Sequence, residues 1–155
     1  MNKGRNCFGT VAKDNCIYAT GGEFQHTIEI FDIRKNTWRY GHKLNFGTTQ
    51  VNAVISDNRY IFTIGSKLGE EYLSVLVGTK WKSTICKKDF SIKEDFCIFC
   101  FDSIIYSLGG NKGLKTSDSI ETLNVNSINN VPYESTISNF RLKRPIYNVA
   151  AVALP

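Results

Sequence analysis

Cys16-Ile17-Tyr18-Ala19-Thr20-Gly21-Gly22, Tyr60-Ile61-Phe62-Thr63-Ile64-Gly65-Ser66 and Ile104-Ile105-Tyr106-Ser107-Leu108-Gly109-Gly110 are three versions of one pattern. Each is a short apolar run with an aromatic three residues before the first glycine, closed by Gly-Gly or Gly-Ser. Gly21, Gly65 and Gly109 are separated by 44 residues in both intervals. A fixed period of roughly 20–50 residues marks a repeat architecture. The apolar runs read as strands buried on both faces. A glycine pair then lets the chain leave the strand through backbone conformations closed to other residues.

The flanks of each run complete a four-stranded unit. In the first, Phe8-Gly9-Thr10-Val11-Ala12 leads through an Asp14-Asn15 turn into the glycine-ended strand. Asx side chains satisfy turn backbone and tolerate positive φ. A loop at 23–26 follows, then the alternating strand Thr27-Ile28-Glu29-Ile30-Phe31-Asp32. Arg34-Lys35-Asn36 turns the chain into Thr37-Trp38-Arg39-Tyr40. The second unit repeats this with strands at 51–56, 60–64 and 71–77, an Asp57-Asn58 turn, and Gly78-Thr79-Lys80 leading into Trp81. The third has strands at 96–101, 104–108 and 120–125, an Asp102-Ser103 turn and a longer loop at 111–118. Its tryptophan position is replaced by Val131-Pro132-Tyr133, where proline confines a strand to an edge or to its first residue. Residues 147–153 read as the first strand of a further unit. No stretch has an apolar period of 3.6. Short strands in fours at a constant period are what propeller blades require. The expected fold is therefore all-β: a β-propeller portion of three four-stranded blades, at about 5–46, 49–92 and 94–143, plus one strand at 146–153.

Composition narrows the function classes. The chain has 155 residues, enough for one domain with a real core. With 42% hydrophobic and 21% charged residues it is neither disordered nor membrane-like. No apolar run approaches the roughly 18–20 residues that span a bilayer. The first residues, Met1-Asn2-Lys3-Gly4-Arg5-Asn6, lack the apolar core of a signal peptide, which points to the cytoplasm. The net charge of +5 invites a nucleic-acid partner. The basic residues are scattered, however, with small groups at Lys80/Lys82, Lys87/Lys88 and Arg141/Lys143/Arg144. They read as solvated strand edges and loops.

Nothing in the pattern assembles chemistry. Cys97-Ile98-Phe99-Cys100 has the CxxC spacing, but no second ligand pair accompanies it and it falls in a β-rich run. It reads as packed strand cysteines. The five cysteines form no disulfide framework. His26 and His42 read as ordinary loop histidines. The glycine cluster 109–113 with Lys112 lacks the helix a phosphate cradle needs. No catalytic residue, metal or cofactor is expected, and the chain reads as a binding module rather than an enzyme.

The repeat resembles the kelch motif. The likeness rests on Tyr18 with Gly21-Gly22, Gly65, Tyr106 with Gly109-Gly110, the downstream Trp38 and Trp81, and Phe31-Asp32 at the family's Tyr-Asp position. The run from Arg5 to Gly9 resembles the family's lead-in to a blade. Ser66 in place of a second glycine, and the missing third tryptophan, mark less regular points. By this resemblance the chain is part of a kelch propeller of the BTB-BACK-kelch type, in which closed rings have five to seven blades. Three blades then point to a piece of a longer chain carrying BTB and BACK regions, with head-to-tail closure by two copies as the alternative. The resemblance implies a non-enzymatic protein-binding module, the substrate-reading part of an adaptor for a cullin-RING ubiquitin ligase; the alternative is an actin- or cytoskeleton-binding protein. The partner is then a substrate peptide or a cytoskeletal protein, with neither nucleic acid nor membrane. The family's partner face maps onto residues 23–26, 66–70 and 111–118, and onto the inter-blade stretches 40–48 and 87–95. Within these, Phe24, His26, Lys67, Lys112 and Lys115 are the expected partner-binding residues.

Overall fold

Asp14 and Asn15 both adopt left-handed backbone, with φ of 50° and 58°. Two such residues make the tight turn whose twist matches a β-hairpin. They join β1 (Gly9–Lys13) to β2 (Cys16–Thr20), with Lys13 paired to Cys16. Asp102 and Ser103, at φ of 49° and 55°, do the same in the third repeat. At the far end of the first repeat, the Asp32 carboxylate accepts the N–H groups of Arg34 and Lys35, both at 3.0 Å. That Asx turn reverses β3 (Ile28–Asp32) into β4 (Thr37–Tyr40). β1 to β4 form one antiparallel sheet in chain order.

The computed structural model describes residues 1–44, 51–57, 59–67, 70–77, 80–85, 93–126 and 135–146. These form two units, Met1–Thr84 and Ile85–Pro155. The first holds the sheet just described and a second one: β5 (Val51–Ser56), β6 (Tyr60–Lys67), β7 (Glu70–Val77) and β8 (Lys80–Ile85). The second unit holds β9 (Cys97–Phe101), β10 (Ile104–Leu108), the small hairpin of β11 (Asn111–Lys112) and β12 (Lys115–Thr116), then β13 (Ser119–Asn124) and β14 (Ser135–Arg141). Its main sheet has the order β14-β13-β10-β9. The chain is thus all-β, with three four-stranded antiparallel sheets and no helix among the described residues. The fourth strand of the third sheet follows Pro132; residues 131–134 and 147–153, read above as strand, lie outside the described residues.

Two sheets of the first unit pack face to face. Tyr18, Ile30 and Arg39 form one cross-strand row, so their side chains share a face of the first sheet. Ile28 and Ile30, with Leu44, meet Ile61 and Trp81 of the second sheet in a buried cluster, and Tyr18 and Leu76 pack against it. Trp81 is only 8% exposed. Trp38 lies on the opposite face, half-buried, with its ring 5.1 Å from that of Phe31. In the second unit Ile105 and Leu123 are the buried centre, and Tyr106 stacks on Phe99 at 4.9 Å. Cys97 and Cys100 fall three apart on β9, on opposite faces of one strand. They cannot share a metal or a disulfide.

The glycine pairs act where the sequence placed them in two repeats out of three. Gly21 and Gly22 have φ of 63° and 115°; Gly109 and Gly110 have 63° and 88°. A Cβ on Gly22 would sit 2.8 Å from the Asn6 carbonyl oxygen, and one on Gly110 2.8 Å from that of Glu94. The second glycine therefore makes room for the chain that precedes the blade. In the middle repeat Gly65 pairs with Val51 and Tyr72, and the strand runs on through Ser66 to Lys67, which pairs with Glu70. The expected loop at 66–70 is thus mostly strand. With serine as the second residue, the chain keeps to the extended ladder.

A buried ion pair secures each glycine exit. The Arg5 guanidinium donates to the carbonyls of Gly21 and Thr27, both at 2.7 Å, to the Thr27 hydroxyl at 2.9 Å, and to Glu29 at 3.1 Å. Glu29 also accepts the backbone N–H groups of Asn2 at 2.5 Å and Lys3 at 3.1 Å. Both side chains of the pair are fully buried. In the second unit Lys93 takes the place of Arg5. It contacts Glu121 at 2.6 Å and donates to the Ser119 hydroxyl, which bonds Glu121 at 3.2 Å. Glu29 pairs across to Ala19 and Glu121 to Ser107, each two residues before the first glycine. The matching residue of the middle sheet, opposite Thr63, is Ser74. The clasp is thus built where Gly-Gly is present and lacks its carboxylate where Gly-Ser stands.

Two outcomes follow for stability. Trp81→Ala should cost about 3–5 kcal/mol in urea unfolding, as for a large buried aromatic, and Trp38→Ala only about 1–2 kcal/mol; equal losses would show that the two indoles are packed alike. The second concerns pH. Burial pushes the Glu29 carboxyl up, but the Asn2 N–H, the Arg5 guanidinium and the Lys3 N–H together hold it below its ordinary value of 4.5. A depressed folded pKa stabilises the fold above the unfolded value and is lost as pH falls through the folded one. Glu29→Gln, which leaves the buried Arg5 charge unpaired, should lose about 3–5 kcal/mol at pH 7. Below pH 4.5 the gap between the two proteins should narrow; a constant gap from pH 7 down to acid unfolding would refute the assignment.

Candidate functional site

The clasp leaves a short loop standing out from the first sheet. Asn6 anchors it twice: its carbonyl accepts the Glu23 N–H at 3.1 Å, and its side-chain amide donates to the Glu23 carboxylate at 2.5 Å. The Gln25 N–H returns to the Gly22 carbonyl at 2.9 Å. Between these ties sits Phe24, in left-handed backbone at φ 56° and 82% exposed. Bulky residues rarely adopt that conformation. It persists only where the surroundings fix it, and such positions cluster at functional sites. His26 is exposed as well, and its carbonyl accepts the Leu44 N–H at 2.8 Å.

The corresponding segment of the third repeat is more ordered than a loop. Asn111 pairs with Thr116 and Lys112 with Lys115, so part of 111–118 is the β11–β12 hairpin. Asn111 also exchanges backbone hydrogen bonds with Glu94, at 2.8 and 2.7 Å. Gly113, at φ 62°, closes the hairpin tip beside Leu114, which is fully exposed. Lys115 is exposed on the same hairpin. Leu114 is not among the residues that the repeat pattern singles out. A leucine directly after a glycine in a polar segment was the available signal.

The other expected residues fall as follows. Lys67 belongs to β6 rather than to a loop, and Lys112 to β11; their side chains lie outside the described residues. Tyr18, Gly65, Trp81, Tyr106 and the two glycine pairs sit in or at the ends of the sheets. Of the inter-blade stretches, 45–48 and 87–92 lie outside the described residues. Lys93, within the second stretch, is buried in its ion pair and has no face for a partner. His42 is exposed. Among the described residues no group of three His, Cys, Asp or Glu side chains is placed to hold a metal, and no helix is long and apolar enough to cross a membrane.

Comparison with known proteins fits this arrangement. Residues 4–45 match the family model described as the Kelch motif. Over 64 residues the chain is 38% identical to an F-box/kelch-repeat protein of Arabidopsis thaliana, a match that covers 40% of this chain and 16% of that relative. The matched 4–45 segment begins just before Arg5, includes both members of the clasp and the Gly21-Gly22 exit, and ends just after the Leu44 that closes the loop. The first sheet, held at its glycine exit by a buried arginine, is thus the part of the chain that is similar to the Kelch motif.

Proposed function

We propose that the chain is a protein-binding module that meets its partner through the segments between the second and third strands of its sheets. Kelch repeats generally mediate contacts between proteins, and one is present at 4–45. The observation that carries the reading is Phe24: a large apolar side chain held out in solvent by hydrogen bonds on both sides of it. Leu114, Lys115 and His26 extend the set, and Lys67 and Lys112 belong to it by position. Of the blades at about 5–46, 49–92 and 94–143, the first and third would offer such a segment, and the middle one the end of its β6–β7 hairpin. An adaptor that presents substrates to a cullin-RING ubiquitin ligase is the best-supported role; the F-box/kelch-repeat relative, which joins such repeats to an F-box, favours it. Within that role, the BTB-BACK-kelch organisation is what the resemblance to kelch-like adaptors implies.

The net charge of +5 favours a second reading, binding to an acidic filament such as actin. Co-sedimentation at low salt decides it: a chain that stays in the supernatant is not an actin binder. For the first reading, the immobilised chain and its Phe24→Asp/Leu114→Asp variant should be compared for proteins retained from extract. Anchor residues commonly contribute about 2 kcal/mol or more. A specific partner should therefore be retained at least about tenfold less by the variant, whose urea midpoint should be unchanged because both side chains are exposed. Identical retention would place the partner face elsewhere.

A further inference from the structure

A groove crosses the seam between the two sheets of the first unit. One hollow, about 300 Å³, is floored by Ile28, Ile30 and Trp81 and has Arg39 and His42 at its mouth. A second, about 390 Å³, lies toward the β1–β2 turn and is bordered by Lys13, Arg59 and Tyr60. Tyr18 and Leu76 line both, so the hollows meet at this pair. Each is within the size range of small binding sites.

The charges around it are one-sided. Among the described residues, Lys13, Arg39 and Arg59 border the groove against a single carboxylate, Asp14, which Lys13 already neutralises. Among the described residues the Arg39 guanidinium has neither a hydrogen bond nor an ion pair partner. The Arg59 guanidinium has only the Tyr60 ring beneath it, at 5.0 Å. Burial, and then the Cys16 thiol, push the Tyr18 hydroxyl up against the pull of Lys13 and Arg39, so both cations bear on the junction of the hollows. The floor is apolar. An occupant that matches both features brings an apolar side chain with carboxylates on either side.

We propose that this groove binds an extended acidic peptide segment, with one apolar side chain seated on Ile30 and Trp81 and flanking carboxylates meeting Arg39 and Arg59. The bidentate fit of guanidinium to carboxylate supplies direction as well as charge. A nucleic acid suits the groove less well. Base stacking needs an open ring face, whereas Trp81 is 8% exposed and Arg59 covers Tyr60. The groove takes in the inter-blade residues Tyr40, Gly41 and His42 and does not depend on Phe24 or Leu114.

Trp38→Phe leaves Trp81 as the single indole of the chain, a reporter on the groove floor. The probe is a capped Glu-Asp-Leu-Asp-Glu peptide, set against Lys-Lys-Leu-Lys-Lys and a ten-nucleotide oligothymidine. The acidic peptide should change Trp81 emission saturably. Binding should weaken at least about tenfold in Arg39→Glu and in Arg59→Glu, each made separately, because a repelled carboxylate costs several kcal/mol. It should weaken as salt rises from about 50 to about 200 mM, as screened charges require, and survive Phe24→Asp/Leu114→Asp. No saturation, equal affinity in both arginine variants, or equal binding of the lysine peptide overturns the proposal. Oligothymidine binding with the same strength and the same sensitivity to both variants overturns the peptide as occupant. Because purified peptides are used, failure here leaves the loop face untouched, and loss of the loop face leaves this result standing.

Discussion

A fully buried arginine and glutamate, Arg5 and Glu29, fix the open end of the first sheet. Two buried charges carry a desolvation cost of several kcal/mol each, which attraction alone offsets only with good geometry and further hydrogen bonds. Here those bonds are present. Arg5 reaches two backbone carbonyls and a hydroxyl besides the carboxylate, and Glu29 takes two backbone N–H groups. The carbonyls belong to Gly21 and Thr27, on the two sides of the loop. One guanidinium therefore ties the chain before the blade to both ends of the segment between the second and third strands. The glycine pair and the ion pair are one device. Gly22 gives the approaching chain room, and Arg5 holds what approaches.

The middle sheet shows what happens without the carboxylate. Ser74 stands where Glu29 and Glu121 stand in the other sheets, and Ser66 where the second glycine stands. The ladder then continues to the Lys67–Glu70 pair, and the strands are extended to eight residues each. An open segment costs ladder hydrogen bonds, which a buried ion pair and its network replace. A closed hairpin keeps its own. The two solutions satisfy the same backbone accounting, but only the first leaves a side chain such as Phe24 projecting from a fixed base.

The sheets themselves were legible because their signals are local. Two-residue turns at Asp14-Asn15 and Asp102-Ser103 need left-handed backbone, and Asx residues announce it. The apolar runs and the 44-residue period gave the strands and their grouping. What was not read depends on distant partners. Arg5 and Lys93 each precede the first glycine of a pair by 16 residues, and Thr27-x-Glu29 and Ser119-x-Glu121 follow it. These spacings are visible in retrospect, but the longer third repeat shifts the second set by four residues, which hides it from a search at fixed period. Lys67, expected in a loop and found in β6, shows the opposite case. The period alone implies a loop at 66–70, whereas the loop depends on the residue after Gly65 and on a carboxylate in the next strand.

The same reasoning separates the two surfaces of the first unit. The Phe24 segment is built from backbone held by buried charge, so its shape is set before any partner arrives, and little ordering cost attaches to using it. The seam groove is built from side chains of two packed sheets, with apolar floor from one set of positions and cations from their neighbours. Ile30 and Arg39 illustrate this, being directly paired on adjacent strands. Substitution of an edge cation there changes the charge of the groove without touching the buried cluster of Ile28, Ile61 and Trp81 beneath it. Sheet packing and groove specificity thus rest on different residues of the same rows. This lets recognition vary at the seam while the clasp and the core stay as they are.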